Sequence, residues 1–210
     1  MSNDPTNNSK QQSTTRKRRR NNTFFNFRPD AEIESPVWAN PLPDHIWSLP
    51  IGKYHPGGFG YMRNHSIHTG VDLYATTGSK VCAVEDGKVV QIENFTGPSA
   101  GSSWYNETQA VLIEGVSGVV LYGEIKPSGS LQIGTMVKAG QHIGNILAVL
   151  KEDKGNGVSM LHFEVYTKGT RSSVWWHHGK HMPKNLLDPT QYLLNLKVSK
   201  KKKNVSTSQL

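Results

Sequence analysis

The sequence contains almost no cysteine. Cys82 is the single one among 210 residues, which excludes an internal disulfide framework and a zinc site built from several cysteines. It lies between apolar neighbours, in Lys80-Val-Cys-Ala-Val84. This pattern is typical of a small buried side chain rather than of a nucleophile. A metal site in this chain would therefore rely on histidine and carboxylate side chains.

Long apolar runs are also missing. No run of about eighteen apolar residues occurs, so the sequence predicts no membrane-spanning helix and no membrane partner. The first nine residues contain no apolar segment of the kind found in a secretory signal. Hydrophobic residues make up 35% of the chain, which fits one globular domain with additional unpacked chain.

Positive charge is concentrated near the two ends. The net charge is +8, and nine positive charges lie in two short runs, Arg16–Arg20 and Lys200–Lys203. Without those nine charges the balance would be −1, so the basicity does not belong to the centre of the chain. Such runs occur in polyanion-binding segments and equally in solubilising tails. Nucleic acid, or an anionic cell wall, would be bound through these basic ends alone.

Composition divides the chain into three parts. Residues 1–44 are rich in Asn, Ser, Thr and Arg, and residues 197–210 are again polar and basic. Neither part contains enough apolar side chains to offset the entropy of ordering, so we predict a disordered basic arm and a disordered basic tail. Residues 45–196 form the predicted domain.

Short β-type runs separated by turn signals fill this domain. Val81–Val84 and Lys88–Ile92 flank an Asp-Gly pair, which predicts a hairpin. Ala110–Ile113 and Val119–Tyr122 flank the turn Glu114-Gly-Val-Ser-Gly118, which predicts a second one. These pairs indicate neighbouring antiparallel strands.

Two later runs complete the pattern, at His142–Leu150 and Leu161–Tyr166. In the last run apolar and polar residues alternate, so His162, Glu164 and Tyr166 share one face of a strand. No segment shows a long helical period. We therefore predict a mostly β fold, an antiparallel and sandwich-like sheet with long loops, flanked by disordered basic tails.

One short segment has the residue types of a metal site. In His68-Thr-Gly-Val-Asp72 an imidazole and a carboxylate stand four residues apart, and Gly70 permits a sharp backbone path between them. Both groups suit zinc at about 2 Å. His162, on the polar face of its strand, is the natural third ligand. Three protein ligands leave a fourth position for water, which is the catalytic arrangement rather than the structural one.

The segments around these residues resemble the lysostaphin and LytM type of zinc endopeptidase. The similarity follows the family's order over about residues 46–194. The segments that carry it are Gly58-Phe-Gly-Tyr61 with Arg63, His68-Thr-Gly-Val-Asp72-Leu-Tyr-Ala75, Gly78-Ser-Lys-Val81, Glu85-Asp-Gly-Lys-Val89, Leu121-Tyr-Gly123, Val137-Lys-Ala-Gly140-Gln-His-Ile-Gly144, Leu161-His-Phe-Glu164 and Asp188-Pro-Thr-Gln-Tyr-Leu193.

This resemblance implies one zinc ion held by His68, Asp72 and His162. It also implies an activated water that attacks a peptide carbonyl, with peptide bridges or stems of peptidoglycan, or a related peptide, as substrate. Two positions depart from the family. Glu124 follows Tyr-Gly where a histidine is usual, and Met160 replaces the first histidine of His-Leu-His-Phe. The missing histidines act on the water and on the developing oxyanion.

Glu124 leaves two interpretations open. A carboxylate beside an activated water is a sound general base, so Glu124 could replace the missing histidine and the site would keep its hydrolytic activity. Alternatively Glu124 forms only local hydrogen bonds, and the chain is a zinc-binding recognition module for a glycan, peptide or protein. The segment Leu121-Tyr-Gly-Glu-Ile-Lys-Pro127 is similar to a turn of the leukocyte-derived chemotaxin family, a non-peptidase relative. That resemblance implies a structural zinc.

Overall fold

The computed structural model describes residues 38–152 and 159–196. Most of the predicted arm, at residues 1–37, the predicted tail at residues 197–210 and both basic runs lie outside the described residues. No helix in the described part is long and apolar enough to cross a membrane. The candidate ligands and Glu124 all fall within it.

Nine β-strands and two short helical segments make up the described part. The strands are β1 Val71–Tyr74, β2 Lys80–Cys82, β3 Gly87–Thr96, β4 Thr108–Gly115, β5 Val119–Pro127, β6 Met136–Val137, β7 His142–Ile146, β8 Met160–Tyr166 and β9 Leu186–Leu187. Residues Pro98–Ala100 form one turn of 3-10 helix, and residues 190–196 are helical. This confirms the predicted mostly β class.

All strand pairs are antiparallel and belong to one nine-stranded sheet. The main path runs β1-β8-β5-β4-β3-β6. β7 pairs with both β2 and β5, and β9 pairs with β8. β8 therefore lies between β1 and β5, so the strands that carry His162, Asp72 and Glu124 are direct neighbours.

One predicted hairpin is confirmed and the other is wrong. β4 and β5 pair around the predicted turn, with Leu112 opposite Leu121. β2, in contrast, pairs with β7 rather than with β3. Hydrogen bonds to residues 139–141, which are distant in sequence, hold the segment between β2 and β3 and prevent a hairpin at the Asp-Gly pair. Ala83 exchanges backbone hydrogen bonds with Gly140 and Gln141, and the carboxylate of Asp86 accepts a hydrogen bond from the backbone of Ala139.

β8 places apolar and polar side chains on opposite faces, as its alternation predicts. Leu161, Phe163 and Val165 pack in the larger apolar cluster of the core. Tyr166 packs in a second cluster on the other face, with Leu112 and Leu121. Both faces of β8 are buried, so the polar groups on it need partners inside the protein.

Residues 38–44, assigned from composition to the arm, pack against the sheet. Trp38 is 5% exposed; its ring stacks on Tyr192 at 4.8 Å and meets Phe163 edge-on at 5.7 Å. Its indole N–H donates to the hydroxyl of Ser117 at 3.0 Å. Leu42 is fully buried. These residues cover the core face of β8 and so support the strand that carries His162.

Candidate metal centre

The three predicted metal ligands meet at one point. His68 Nε2 lies 3.2 Å from His162 Nδ1 and 3.1 Å from Asp72 Oδ1, and His162 Nδ1 lies 2.9 Å from the same oxygen. All three side chains are buried. Bonds of about 2.0–2.1 Å in a tetrahedron place ligand atoms about 3.3 Å apart. The donor set and its spacing therefore fit a zinc ion after a small expansion.

Neighbouring strands and one glycine bring these residues together. Asp72 in β1 is directly opposite His162 in β8. The loop before β1 carries His68, whose backbone N–H donates to the carbonyl of Tyr61 at 2.8 Å. A Cβ on Gly70 would lie 2.6 Å from the carbonyl oxygen of Phe163 and 2.9 Å from His162 Nε2. Only glycine permits this close approach of the loop to β8.

Both histidines are oriented by acceptors on the side away from the cluster. His68 Nδ1 lies 2.8 Å from the carbonyl oxygen of Gly58. His162 Nε2 lies 2.9 Å from Glu164 Oε1. Each of these nitrogens donates its proton outward, so the other nitrogen of each ring faces the centre. Metal-ligating histidines are typically held in this way.

Glu164 is itself held by two hydroxyl groups. The side chain of Thr69 donates to Oε1, and the phenol of Tyr166 donates to Oε2 at 2.5 Å. Burial alone would raise the pKa of the Glu164 carboxyl, but the hydrogen bond from His162 outweighs it and lowers that pKa. Glu164 thus remains a carboxylate and a fixed acceptor for His162.

The second oxygen of Asp72 pairs with an arginine. Arg63 Nη2 lies 2.5 Å from Asp72 Oδ2, which leaves Oδ1 for the centre. Burial alone would raise the pKa of Asp72, but the hydrogen bonds from His162 and His68 hold it well below its usual range. Burial also lowers the pKa of His68. The cluster therefore offers one carboxylate and one neutral imidazole.

The two neighbouring carboxylates favour the protonated form of His162 when no metal is bound. Burial alone would lower the pKa of His162, but its hydrogen bonds to Asp72 and Glu164 raise it to about 10 in the metal-free protein. His162 Nδ1 lies 2.9 Å from Asp72 Oδ1, so a proton on this nitrogen is hydrogen-bonded to the carboxylate. A metal bound by this nitrogen displaces that proton, since the same lone pair holds both.

A β-bulge directs Glu124 towards the cluster. Tyr122 pairs with Val111 and Ile125 pairs with Gln109, so Gly123 and Glu124 together oppose one residue of β4. Glu124 has φ 64°, and among the described residues it is the one non-glycine with a positive φ. Such a conformation costs of the order of 1 kcal/mol or more and concentrates at functional sites, where bulges re-aim side chains.

The carboxyl group of Glu124 is buried, and one of its oxygens has no described hydrogen-bond partner. Its Oε2 is inaccessible to solvent and has no hydrogen-bond partner among the described residues. Burial, followed by the charge of Asp72, raises the pKa of Glu124 to about 7. Burying an ionised carboxyl group without a partner is costly, and this cost is the main cause of the raised pKa.

Glu124 makes the stability of the metal-free chain depend on pH. Its pKa rises from 4.5 to about 7 on folding, so folding loses stability as pH rises through this window. We expect Glu124→Gln, in chelator, to leave stability almost unchanged at pH 4.5 and to increase it by up to about 3 kcal/mol at pH 8. Urea unfolding at both pH values measures this difference. An equal effect at the two pH values would contradict the burial of an ionisable carboxyl at this position.

Met160 lies where the resemblance expects the other histidine. It is opposite Tyr74 in the β1–β8 register, two residues from His162 and on the same face. Its thioether donates no hydrogen bond and carries no proton at neutral pH. Tyr74, which is 38% exposed, thus stands beside a side chain that donates no hydrogen bond.

Spacing and resemblance anticipated four of these residues, and the structure adds others. His68, Asp72 and His162 come together as expected, and Glu124 lies near them. Sequence reasoning assigned no role to Glu164, Arg63, Thr69 or Tyr166. The alternation of β8 could have identified Glu164, because it places that side chain beside His162. No spacing signal connects Arg63 with Asp72.

Three solved structures are among those similar to this chain. The catalytic domain of the antimicrobial peptidase lysostaphin from Staphylococcus simulans is similar at 19% identity and TM-score 0.47, over 70% of this chain and 92% of that one. A zinc-containing peptidase from Vibrio cholerae is similar at 23% identity and TM-score 0.44, over 61% of this chain and 36% of that one. A point mutant of the catalytic domain of the prophage-encoded M23 protein EnpA from Enterococcus faecalis is similar at 21% identity and TM-score 0.43, over 69% of this chain and 98% of that one.

Family assignment comes from the sequence itself. A search of curated proteins found no match. The model of Peptidase family M23, in contrast, matches residues 66–174, which is more than half of the 210 residues. This range begins just before His68 and includes Asp72, Glu124 and His162. The chain therefore belongs to Peptidase family M23.

Proposed function

We propose that this protein is a zinc-dependent endopeptidase that cleaves peptide bonds of peptidoglycan or of a related peptide. The observation that carries the proposal is the convergence of His68 Nε2, Asp72 Oδ1 and His162 Nδ1 within 3.2 Å of one another. Within the described part of the chain, this is the one cluster of three such groups. Membership of a peptidase family supports the reaction class.

His68, Asp72 and His162 hold the zinc ion in this proposal. Two imidazoles and one carboxylate are a ligand set of catalytic zinc sites, which keep one position open. Zinc, when bound, supplies a Lewis acid that activates water and polarises a carbonyl group. Arg63 fixes the unused oxygen of Asp72, and Glu164 fixes the ring of His162.

Glu124 accepts the proton of the attacking water. Its buried Oε2 has no other described partner, and a pKa of about 7 in the metal-free chain suits a general base near neutral pH. As the peptide bond breaks, the carboxylic acid so formed returns its proton to the leaving amine. One carboxylate then serves both proton transfers, so it replaces the imidazole that position 124 lacks.

Glu164 acts on the metal through His162, and its removal tests this arrangement. Glu164→Gln keeps the shape of the side chain but removes the negative charge that orients His162. We expect zinc affinity to fall about 10–100-fold, measured by competition with a chromophoric chelator. As a matched control, Glu152→Gln, at an exposed position, leaves the affinity unchanged. Equal affinities for Glu164→Gln and wild type would contradict a role of Glu164 in holding the ligand.

Hydrolysis of cell-wall material tests the proposed activity. The full chain, loaded with zinc, is incubated with purified peptidoglycan sacculi, and soluble products are identified by mass spectrometry. We expect peptides with new amino termini, which a chelator abolishes and added zinc restores. Sacculi that differ in their peptide bridges identify the bond. If no sacculus type releases peptides, the result would contradict peptidoglycan hydrolysis.

Met160 favours a second candidate function, a zinc-binding recognition module. A thioether takes the place of a catalytic histidine, and loss of one oxyanion donor typically costs a hundredfold or more in rate. The same preparation separates the two functions. Sacculi that retain the protein but release no peptides would support the recognition module, and release of new amino termini would exclude it.

A further inference from the structure

Tyr74 occupies the next cross-strand pair beyond the metal cluster. Asp72 is opposite His162, and Tyr74 is opposite Met160, in the antiparallel register of β1 and β8. Side chains two residues apart share a face of a strand, and paired residues share it across strands. The ring of Tyr74 and the thioether of Met160 therefore stand side by side on the face that carries the cluster.

The hydroxyl of Tyr74 and the side chain of Asp72 lie beside the same glycine, Gly57. A Cβ built on Gly57 would lie 2.8 Å from Tyr74 Oη and 3.2 Å from the Cβ of Asp72. The carbonyl of this glycine accepts the backbone N–H of Asp72 at 2.8 Å. Gly57 thus leaves room for the phenol, and the hydroxyl of Tyr74 and the side chain of Asp72 both lie beside this glycine.

The hydroxyl is also available to a ligand. Tyr74 is 38% exposed, and its Oη takes part in no hydrogen bond within residues 38–152 and 159–196. Its ring packs near the imidazole of His55, with ring centroids 6.4 Å apart. The aromatic ring is therefore positioned by the protein, whereas the O–H proton has no described acceptor. A phenol at neutral pH is a hydrogen-bond donor.

We propose that Tyr74 donates a hydrogen bond to the oxyanion that develops on the substrate carbonyl. Met160, at the strand position directly opposite, offers no such donor, because a thioether donates no hydrogen bond. This inference rests on the proposed peptidase function and adds a catalytic residue to it. A donor of this kind is worth about 100–1,000-fold in kcat.

The substitution Tyr74→Phe tests the proposal because it removes only the hydroxyl. In the zinc-loaded full chain we expect kcat to fall about 100–1,000-fold, with KM and zinc content changed less than about twofold. Tyr192→Phe is the matched control, because it removes a hydroxyl from a ring that stacks on Trp38 in the core. A wild-type kcat for Tyr74→Phe would overturn the proposal and leave the peptidase function intact.

A second variant separates a chemical role from a structural one. In Tyr74→Phe with Met160→His, the imidazole stands at the opposite position and supplies the missing donor. We expect it to recover at least about tenfold of the lost kcat. A double variant no more active than Tyr74→Phe would mean that the hydroxyl acts through packing, which overturns the proposal.

Binding of a phosphinic peptide gives a readout that needs no turnover. A tetrapeptide with a phosphinate in place of its central peptide bond resembles the tetrahedral oxyanion. We expect Tyr74→Phe to bind it about 100-fold more weakly than wild type, as measured by calorimetry on zinc-loaded protein. If wild type hydrolyses nothing but shows this difference, the donor role stands and the peptidase function fails. If the two proteins bind it equally, the donor role is overturned whatever the hydrolysis assay shows.

Discussion

Replacing Glu124 by glutamine is expected to lower kcat for peptide hydrolysis by about 100–10,000-fold, the contribution of a general base. The zinc content should stay at one ion per chain, because His68, Asp72 and His162 are unchanged. Glutamine has the size of glutamate but accepts no proton at neutral pH. Steady-state rates of peptide release from peptidoglycan measure kcat. Metal analysis of the same preparation measures the zinc content.

Two controls make the Glu124 result specific. Glu152→Gln, at an exposed position, should keep wild-type activity. Glu124→His restores the imidazole that the family resemblance expects, and it should recover part of the rate if a proton acceptor is what position 124 supplies. A Glu124→Gln enzyme with more than a third of wild-type kcat would contradict the base role.

Zinc is expected to raise the thermal stability of the chain, and His68→Ala to abolish this effect. A ligand at a thousand times its Kd stabilises the folded state by about 4 kcal/mol. For a domain of this size that corresponds to a shift in Tm of about 8–16 °C. The alanine variant lacks one of three ligands and should show almost no shift. Differential scanning calorimetry with and without zinc, after removal of metal by a chelator, measures it.

The matched control for the stability experiment is another histidine. His181 is exposed and lies outside the cluster of His68, Asp72 and His162. His181→Ala should therefore retain the full zinc-dependent shift. A Tm shift that persists in His68→Ala would mean that zinc binds at another site. The absence of a shift in wild type would contradict zinc binding by the folded chain.

The fold could be predicted where local pattern and long-range pairing agree. The β4–β5 hairpin has two apolar runs and a turn between them, and these runs pair in the sheet. The Asp-Gly signal at Asp86 was equally strong, yet β2 pairs with β7 across about sixty residues of sequence. Local turn chemistry does not reveal which distant strand competes for an edge.

Residues 38–44 illustrate a second limit of composition. Its two large apolar side chains, Trp38 and Leu42, are too few to signal a folded region by composition. In the structure they cover the core next to Phe163. A few well-placed side chains can order a segment when a preformed apolar surface receives them, which average composition does not show.

The candidate site was predictable to the extent that motif residues define it. His68 and Asp72 lie close in sequence, and the alternation of β8 places His162 on a polar face. Arg63 and Tyr74 needed the three-dimensional arrangement. Arg63 reaches Asp72 from a loop, and Tyr74 becomes relevant only through its register with Met160. The bulge at Glu124 likewise follows from pairing with β4, which no local pattern indicates.

Zinc X-ray absorption spectroscopy of the full chain tests the central claim most directly. We expect one zinc per chain, with nitrogen and oxygen ligands at about 2.0–2.1 Å and imidazole scattering from His68 and His162. No sulfur should appear at about 2.3 Å, although Cys82 and Met160 are both present in the chain. Zinc with a sulfur ligand, or imidazole scattering unchanged by His162→Ala, would contradict the assigned site.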